Sequence, residues 1–186
     1  KTLVEAATYP GLDALLARLG LSVEHLKCGP QVPLDPQARR ELAQRGERPS
    51  ALHNNCSGKH AGFVCLGCVM AGEREPRAFL SGYVNAEHAV MREVTAAVEN
   101  ATGCALSKAP MGIDGCSIPT FGIPLPQLAH AFARVATGQG LTSGRAAAAK
   151  RLRKAVATAP FMVGGSGRFD SRVMALFGER VFCKVG

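Results

Sequence analysis

Eight consecutive residues, His53-Asn54-Asn55-Cys56-Ser57-Gly58-Lys59-His60, place two imidazoles, two amides, a thiol, a hydroxyl and an amine in one stretch. A core segment cannot be built this way, because each buried polar group needs a hydrogen-bond partner. A solvated loop has little use for the cysteine. The stretch is therefore where the fold presents chemistry, and the elements on either side must hold it in place. An apolar run from Phe63 to Met70 follows directly.

The flanking sequence predicts mostly helix. Leu12, Leu15, Leu16 and Leu19 repeat at i, i+3, i+4 and i+7, with Pro10 at the entrance and Gly20 past the end, which predicts a helix over 10–20. Asp35-Pro36 opens a second, polar helix that stops near Gly46. The loop of about residues 49–59 leads into a helix from about Lys59 to Ala71. Asn85 is placed to cap a helix whose Val90, Val94, Ala97 and Val98 share a face. The glycine- and proline-rich stretch 104–125 reads as a turn followed by a strand near Ile118 to Ile123. Pro126 starts another helix with Leu128, Phe132 and Val135 inward, and Ser143 caps a basic helix that ends before Pro160. Asp170 caps a short helix stopping at Gly178. A closing strand alternates, with Val181, Cys183 and Val185 on one side and Phe182 and Lys184 on the other. The pattern is helix-rich α/β with few strands.

The length of 186 residues fits a single domain spanning 1–186. With no Trp and only two Tyr, the core must be packed by Leu, Val and Ala. The first residue is Lys1, and the chain ends at Gly186 inside an apparent strand, so the expectation is a fragment of a longer protein. There is no 18-residue apolar run and no signal peptide, so no membrane partner is expected. The formal charge of +8 is dispersed except in Arg145 to Lys154 and is not interleaved with aromatic residues. That reads as an Arg-rich surface and not as a nucleic-acid interface. Seven cysteines in a chain this long and apolar do not form a disulfide scaffold. Most of them read as small core residues in a reducing cytoplasm.

Three constellations carry candidate chemistry. In Cys56-Ser57-Gly58-Lys59, Gly58 lets the backbone turn or approach a ligand closely. Lys59 sits near a helix N-terminus, where the helix dipole disfavours the ammonium form. It is either a base or ligand, or an exposed Lys on a helix capped by Ser57. A phosphate loop is excluded, since it needs an upstream glycine and a following hydroxyl, and positions 53 and 60 are both His. Asp114-Gly115-Cys116-Ser117 is either a plain turn with a buried cysteine or the source of a second thiolate for a borderline-soft ion such as zinc. Lys184 is either a guard on an edge strand or an amine directed into a cleft. Cys65-x-x-Cys68 lies within the predicted apolar helix and reads as two core thiols. Cys28, Cys104 and Cys183 read the same way. His60 carries more weight than His53 and His88 because of its neighbours, and His25 and His130 read as surface residues.

Taken together, these residues resemble one family. HNNCSGKHAG (53–62), Gly82-Tyr83 with His88, Asp114-Gly115-Cys116 followed after two residues by Pro119, PLPQLAHAFA (124–133) and the final Lys184-Val185-Gly186 occur in the order found in the Rhizobium-type L-asparaginase II family. LKCGPQVPL (26–34) fits the same family. The resemblance implies an α/β/α fold of the serine β-lactamase and glutaminase type. It implies hydrolysis of L-asparagine to aspartate and ammonia by Ser–Lys tandems, and a homodimer. It also implies a zinc ion held by Cys56, Lys59 and Cys116, with Asp114, the acid beside the second Cys, and Lys184, the amine of a second tandem, as catalytic residues; His60 is the third catalytic candidate, from its neighbours in the signature stretch.

Three departures qualify the match. The family's S-S-x-K motif and its Ser-His-x-Gly-Glu segment, which precede the LKCG region, do not occur in these 186 residues. The Ala-Glu-Gly continuation after Lys-x-Gly is also missing. His88-Ala89-Val90-Met91 stands where the family has His-Pro-x-Gln. The expectation is thus an asparaginase domain truncated at its N-terminus and just after its last motif, inactive alone and able to bind zinc. A non-catalytic zinc-binding module and a related amidohydrolase such as a glutaminase are the alternatives.

Overall fold

The computed structural model describes residues 10–184. Its helices are α1 (Pro10–Arg18), α2 (Pro36–Gln44), α3 (Ser57–Ala71), α4 (Pro76–Phe79) and α5 (Ala89–Thr102), then, after a hairpin, α6 (Leu125–Thr137), α7 (Ser143–Thr158), α8 (Phe161–Gly164) and α9 (Phe169–Phe177). The hairpin pairs β1 (Met111–Ile113) with β2 (Pro119–Phe121), and this is the whole sheet among the described residues. The architecture is mostly helical with a small strand pair, which is compatible with the α/β expectation.

The chain divides into two compact units, 1–92 with 113–119, and 93–112 with 120–186. The first unit is organised around α3. Leu12 and Leu16 of α1, Val64 of α3, then Leu80, Tyr83, Val90 and Met91 are all buried. Gly67 permits this packing, because a Cβ there would collide with the Leu80 side chain and press on Val90 Cγ2 at 3.2 Å. The second unit packs α6 against α7 and α8 against α9, burying Leu106, Ala131, Ala149 and Met174.

Local sequence signals set most helix starts. Asp35 caps α2 by accepting the Ala38 N–H at 2.8 Å, with Pro36 at the first helical position. Thr142, one residue ahead of the expected Ser143, caps α7 by accepting the Arg145 N–H. Helix α5 starts at Ala89. There His88 Nδ1 takes the Val90 N–H at 3.1 Å, so His88 does the work expected of Asn85. Asp170 lies inside the first turn of α9 and is buried, so it does not cap from outside.

Three further expectations are corrected. Helix α3 begins at Ser57, with Cys56 at its cap, so Gly58 is helical and makes no tight turn. On α6 the buried residue is Ala131, while Leu128 and Phe132 remain exposed. Periodicity marked the apolar stripe but not what covers it. Residues 181–184 form no strand, because no other strand among the described residues pairs with them and an unpaired extended segment leaves its backbone groups unsatisfied by a ladder. Val185 and Gly186 lie outside the described residues.

Candidate functional site

The first turn of α3 is the floor of the site. Its entry is fixed by Asn54, which is buried. The Asn54 Oδ1 accepts the Cys56 N–H at 2.8 Å, an Asx-type contact two residues on. Its Nδ2 donates to the Cys28 carbonyl at 2.8 Å and the Gly29 carbonyl at 3.2 Å. Opposite partner types on the two ends of the amide leave one orientation. Asn54 thereby pins the LKCG segment to the residue that caps α3. Lys59 and His60 then follow on the first turn of the helix.

The hairpin tip brings the second half. Asp114 donates its N–H to the Ile118 carbonyl at 2.9 Å, and the Ser117 N–H returns to the Asp114 carbonyl at 3.0 Å. Ser117 takes a left-handed φ of 74°. This is a three-residue hairpin loop whose last residue occupies the left-handed position usually given to glycine. The Asp114 Oδ1 accepts the N–H groups of Cys116 at 2.9 Å and Ile118 at 3.1 Å, which locks the carboxylate in the turn.

The two halves meet at the Asp114 Oδ2. It receives the Lys59 Nζ at 3.1 Å and the Cys116 thiol at 3.3 Å. Burial would raise the Asp114 carboxyl, but the Cys116 thiol, the Ile118 N–H and the Lys59 amine outweigh it and hold the group at about 2. Burial opposes the Lys59 charge, yet Cys116 and Asp114 keep its ammonium form favoured, contrary to the helix-dipole expectation. The charge of Cys56 acts on both Lys59 and Cys116. Burial pushes the Cys116 thiol up to about 12; Lys59 opposes the shift and Asp114 reinforces it.

His60 sits beneath this cluster, fully buried. Its Nδ1 lies 2.6 Å from the Tyr83 hydroxyl, and the same hydroxyl accepts the Lys27 N–H at 3.0 Å. Burial, with help from the Lys59 charge, brings the imidazole down to about 4, so it is neutral at pH 7. Its Nε2 has no hydrogen-bond partner, although the Cys116 main chain is near enough to act on the ring. Phe63 and Tyr83 bracket the ring edge-on, at centroid distances of 5.6 and 5.8 Å.

Cys56, Lys59, His60, Asp114 and Cys116 are thus brought together in the first unit. Lys184 is an exposed residue of the second unit, in the irregular segment after α9. Ser57 is fully buried and its Oγ has no partner, so it presents no hydroxyl to the cluster. His53 and His88 serve structure. His53 Nδ1 takes the Ser50 N–H at 2.9 Å, and His88 also contacts the Phe79 carbonyl at 2.8 Å. Cys65 and Cys68 are half-buried on α3 and no disulfide forms. Sequence reasoning passed over the Asn54 amide and the Tyr83 hydroxyl. The Asx spacing to Cys56 was readable, but the carbonyls and imidazole they hold are distant in sequence.

Among the described residues, no three His, Cys, Asp or Glu side chains gather as a metal site. What does converge is the Lys59 amine and the Cys116 thiol on the Asp114 carboxylate, with Cys56 near enough for its charge to act on both Lys59 and Cys116. That donor chemistry fits zinc once the thiols and the amine lose their protons.

The same residues are the motif positions of a known family. A sequence model of L-asparaginase II matches residues 5–186. No curated protein matches the chain. With the signature stretch on the first turn of α3 and the Asp-Gly-Cys turn closed over it, and with nearly the whole sequence matched, the chain belongs to the L-asparaginase II family.

Proposed function

We propose that the protein hydrolyses the side-chain amide of L-asparagine to aspartate and ammonia, and that the Cys56–Lys59–Asp114–Cys116 cluster holds a zinc ion and positions the substrate. The observation that carries this reading is Asp114, which accepts from Lys59 and Cys116 at once and so gathers donors that lie far apart in the sequence. The family match supplies the substrate class.

Cys56, Lys59 and Cys116 would hold the zinc, and Asp114 would keep the amine and thiol aimed at one point. When bound, the ion supplies positive charge that attracts the substrate and stabilises developing negative charge. Lys59 would have to release an Nζ proton to serve as ligand. His60, neutral and fully buried on the same turn of α3, is held by the Tyr83 hydroxyl. The attacking hydroxyl is assigned to a serine outside the 186 residues, because Ser57 is buried and the S-S-x-K motif is absent from the sequence. Lys184 is assigned as the amine partner of a further serine. The specific three-layer β-lactamase-like fold belongs to the same proposal, as does a reducing, cytoplasmic setting for seven unpaired cysteines.

Ammonia release from L-asparagine and from L-glutamine by the zinc-loaded full-length protein tests this reading. A higher kcat/KM on asparagine is expected, with the isolated 186 residues no faster than buffer. A higher kcat/KM on glutamine makes the protein a glutaminase, and no ammonia from either makes the cluster a binding module. Zinc per chain should fall in Cys56→Ser and in Cys116→Ser. Unchanged zinc in both would remove the three-ligand assignment.

A further inference from the structure

The hydroxyl of Tyr83 has one proton and two lone pairs. The Lys27 N–H, a donor without alternative roles, occupies one lone pair at 3.0 Å. The remaining contact is His60 Nδ1 at 2.6 Å. Tyr83 is buried, with about 1% of its surface exposed, so its proton has no water to go to. If His60 Nδ1 carried a hydrogen, the tyrosine would accept twice and its own proton would be buried without an acceptor, at a cost of about 1–3 kcal/mol. If Tyr83 donates, the imidazole proton sits on Nε2 and that N–H is the one group of the pair left unpartnered, whereas the other tautomer leaves both the tyrosine proton and the Nε2 lone pair unpartnered.

We infer that Tyr83 is a positioning residue of this site: its hydroxyl fixes His60 as the Nε2–H tautomer, which makes the ring a hydrogen-bond donor on the side away from Tyr83. The ring is then not a base at Nε2, because that nitrogen has no free lone pair. Its N–H is on the side away from Tyr83 and has no partner. Tyr83 links α3 to the LKCG segment through His60 and Lys27. The importance given to this donor rests on the proposed amidohydrolase site, but the tautomer itself does not depend on that reading.

Nitrogen-15 labelling of histidine tests it directly. Two-bond proton–nitrogen correlation spectra of the wild-type protein at pH 7 should show His60 with a protonated Nε2 and an unprotonated, hydrogen-bonded Nδ1. A protonated Nδ1 would overturn the inference. In Tyr83→Phe the ring loses its donor, so the tautomers should mix. An unmixed tautomer in that variant would also overturn it. If Tyr83→Phe does not fold, the wild-type spectrum decides alone. Failure to hydrolyse asparagine leaves the tautomer assignment standing, so the two readings fail separately.

Discussion

His60 shows how one buried side chain ties stability to pH. Its folded-state pKa is about 4 because burial disfavours the imidazolium. In the unfolded chain a histidine titrates near about 6.5. Between those values the unfolded state binds more protons, so stability is full above about pH 6.5 and falls as pH drops toward 4. The gap corresponds to about 3 kcal/mol, all of it lost once both states are protonated. Urea midpoints should therefore decline between pH 7 and pH 4, and His60→Gln should flatten that decline. Asp114 acts lower. Its carboxyl is held at about 2, so its contribution persists above the unfolded value near 4 and is lost only on further acidification. Ser57 shows the reverse situation. A fully buried hydroxyl without a partner has lost its water and gained nothing. Ser57→Ala is expected to leave stability unchanged or raise it by up to about 1 kcal/mol, with zinc per chain unaltered, as read by thermal melts and metal analysis. A loss of zinc in that variant would return Ser57 to the site.

At the scale of elements, α3 is the part whose packing matters most to the site. Helix propensity alone would favour Ala over Gly at position 67 by about 1 kcal/mol. The structure reverses the sign. A methyl group there meets the buried Leu80 side chain and Val90, which have no room to move. Overpacking of this kind costs about 1–3 kcal/mol, so Gly67→Ala should be net destabilising and lower the urea midpoint. The helix itself was legible in sequence, since an apolar run behind a polar cap needs only local information. Its start was misread by two residues because Cys56, an unusual cap, ends the loop through the Asn54 amide. The Asp-Gly turn was equally legible from its two residues. The closing strand was not, because alternation describes a strand's faces while a strand also needs a neighbour to pair with. The apolar stripe of α6 was visible, but which of its side chains become buried depends on what packs on them.

For the whole molecule, cysteine accounting gives the broadest test. Seven thiols occur in the sequence and none is paired. Burial raises Cys28 to about 11 and Cys116 to about 12, and it also raises Cys65 and Cys68. A thiol reagent attacks the thiolate, so these four should react slowly in the native protein at pH 7.5 and all seven rapidly in denaturant. Fast native reaction of all seven would contradict the packing described for the first unit. The sequence alone determined which donors are available. It also determined that they sit in two short segments, and that one opens a helix while the other makes a turn, because caps, turns and side-chain chemistry are properties of a few adjacent residues. Only the tertiary structure decided that Lys59 and Asp114 meet across 55 positions and that the Tyr83 hydroxyl reaches His60 and Lys27. It likewise decided that Ser57 faces inward. Those outcomes depend on how the buried leucines, valines and Tyr83 of the first unit pack around α3. Packing is a joint property of residues far apart in the chain, and no local pattern encodes it.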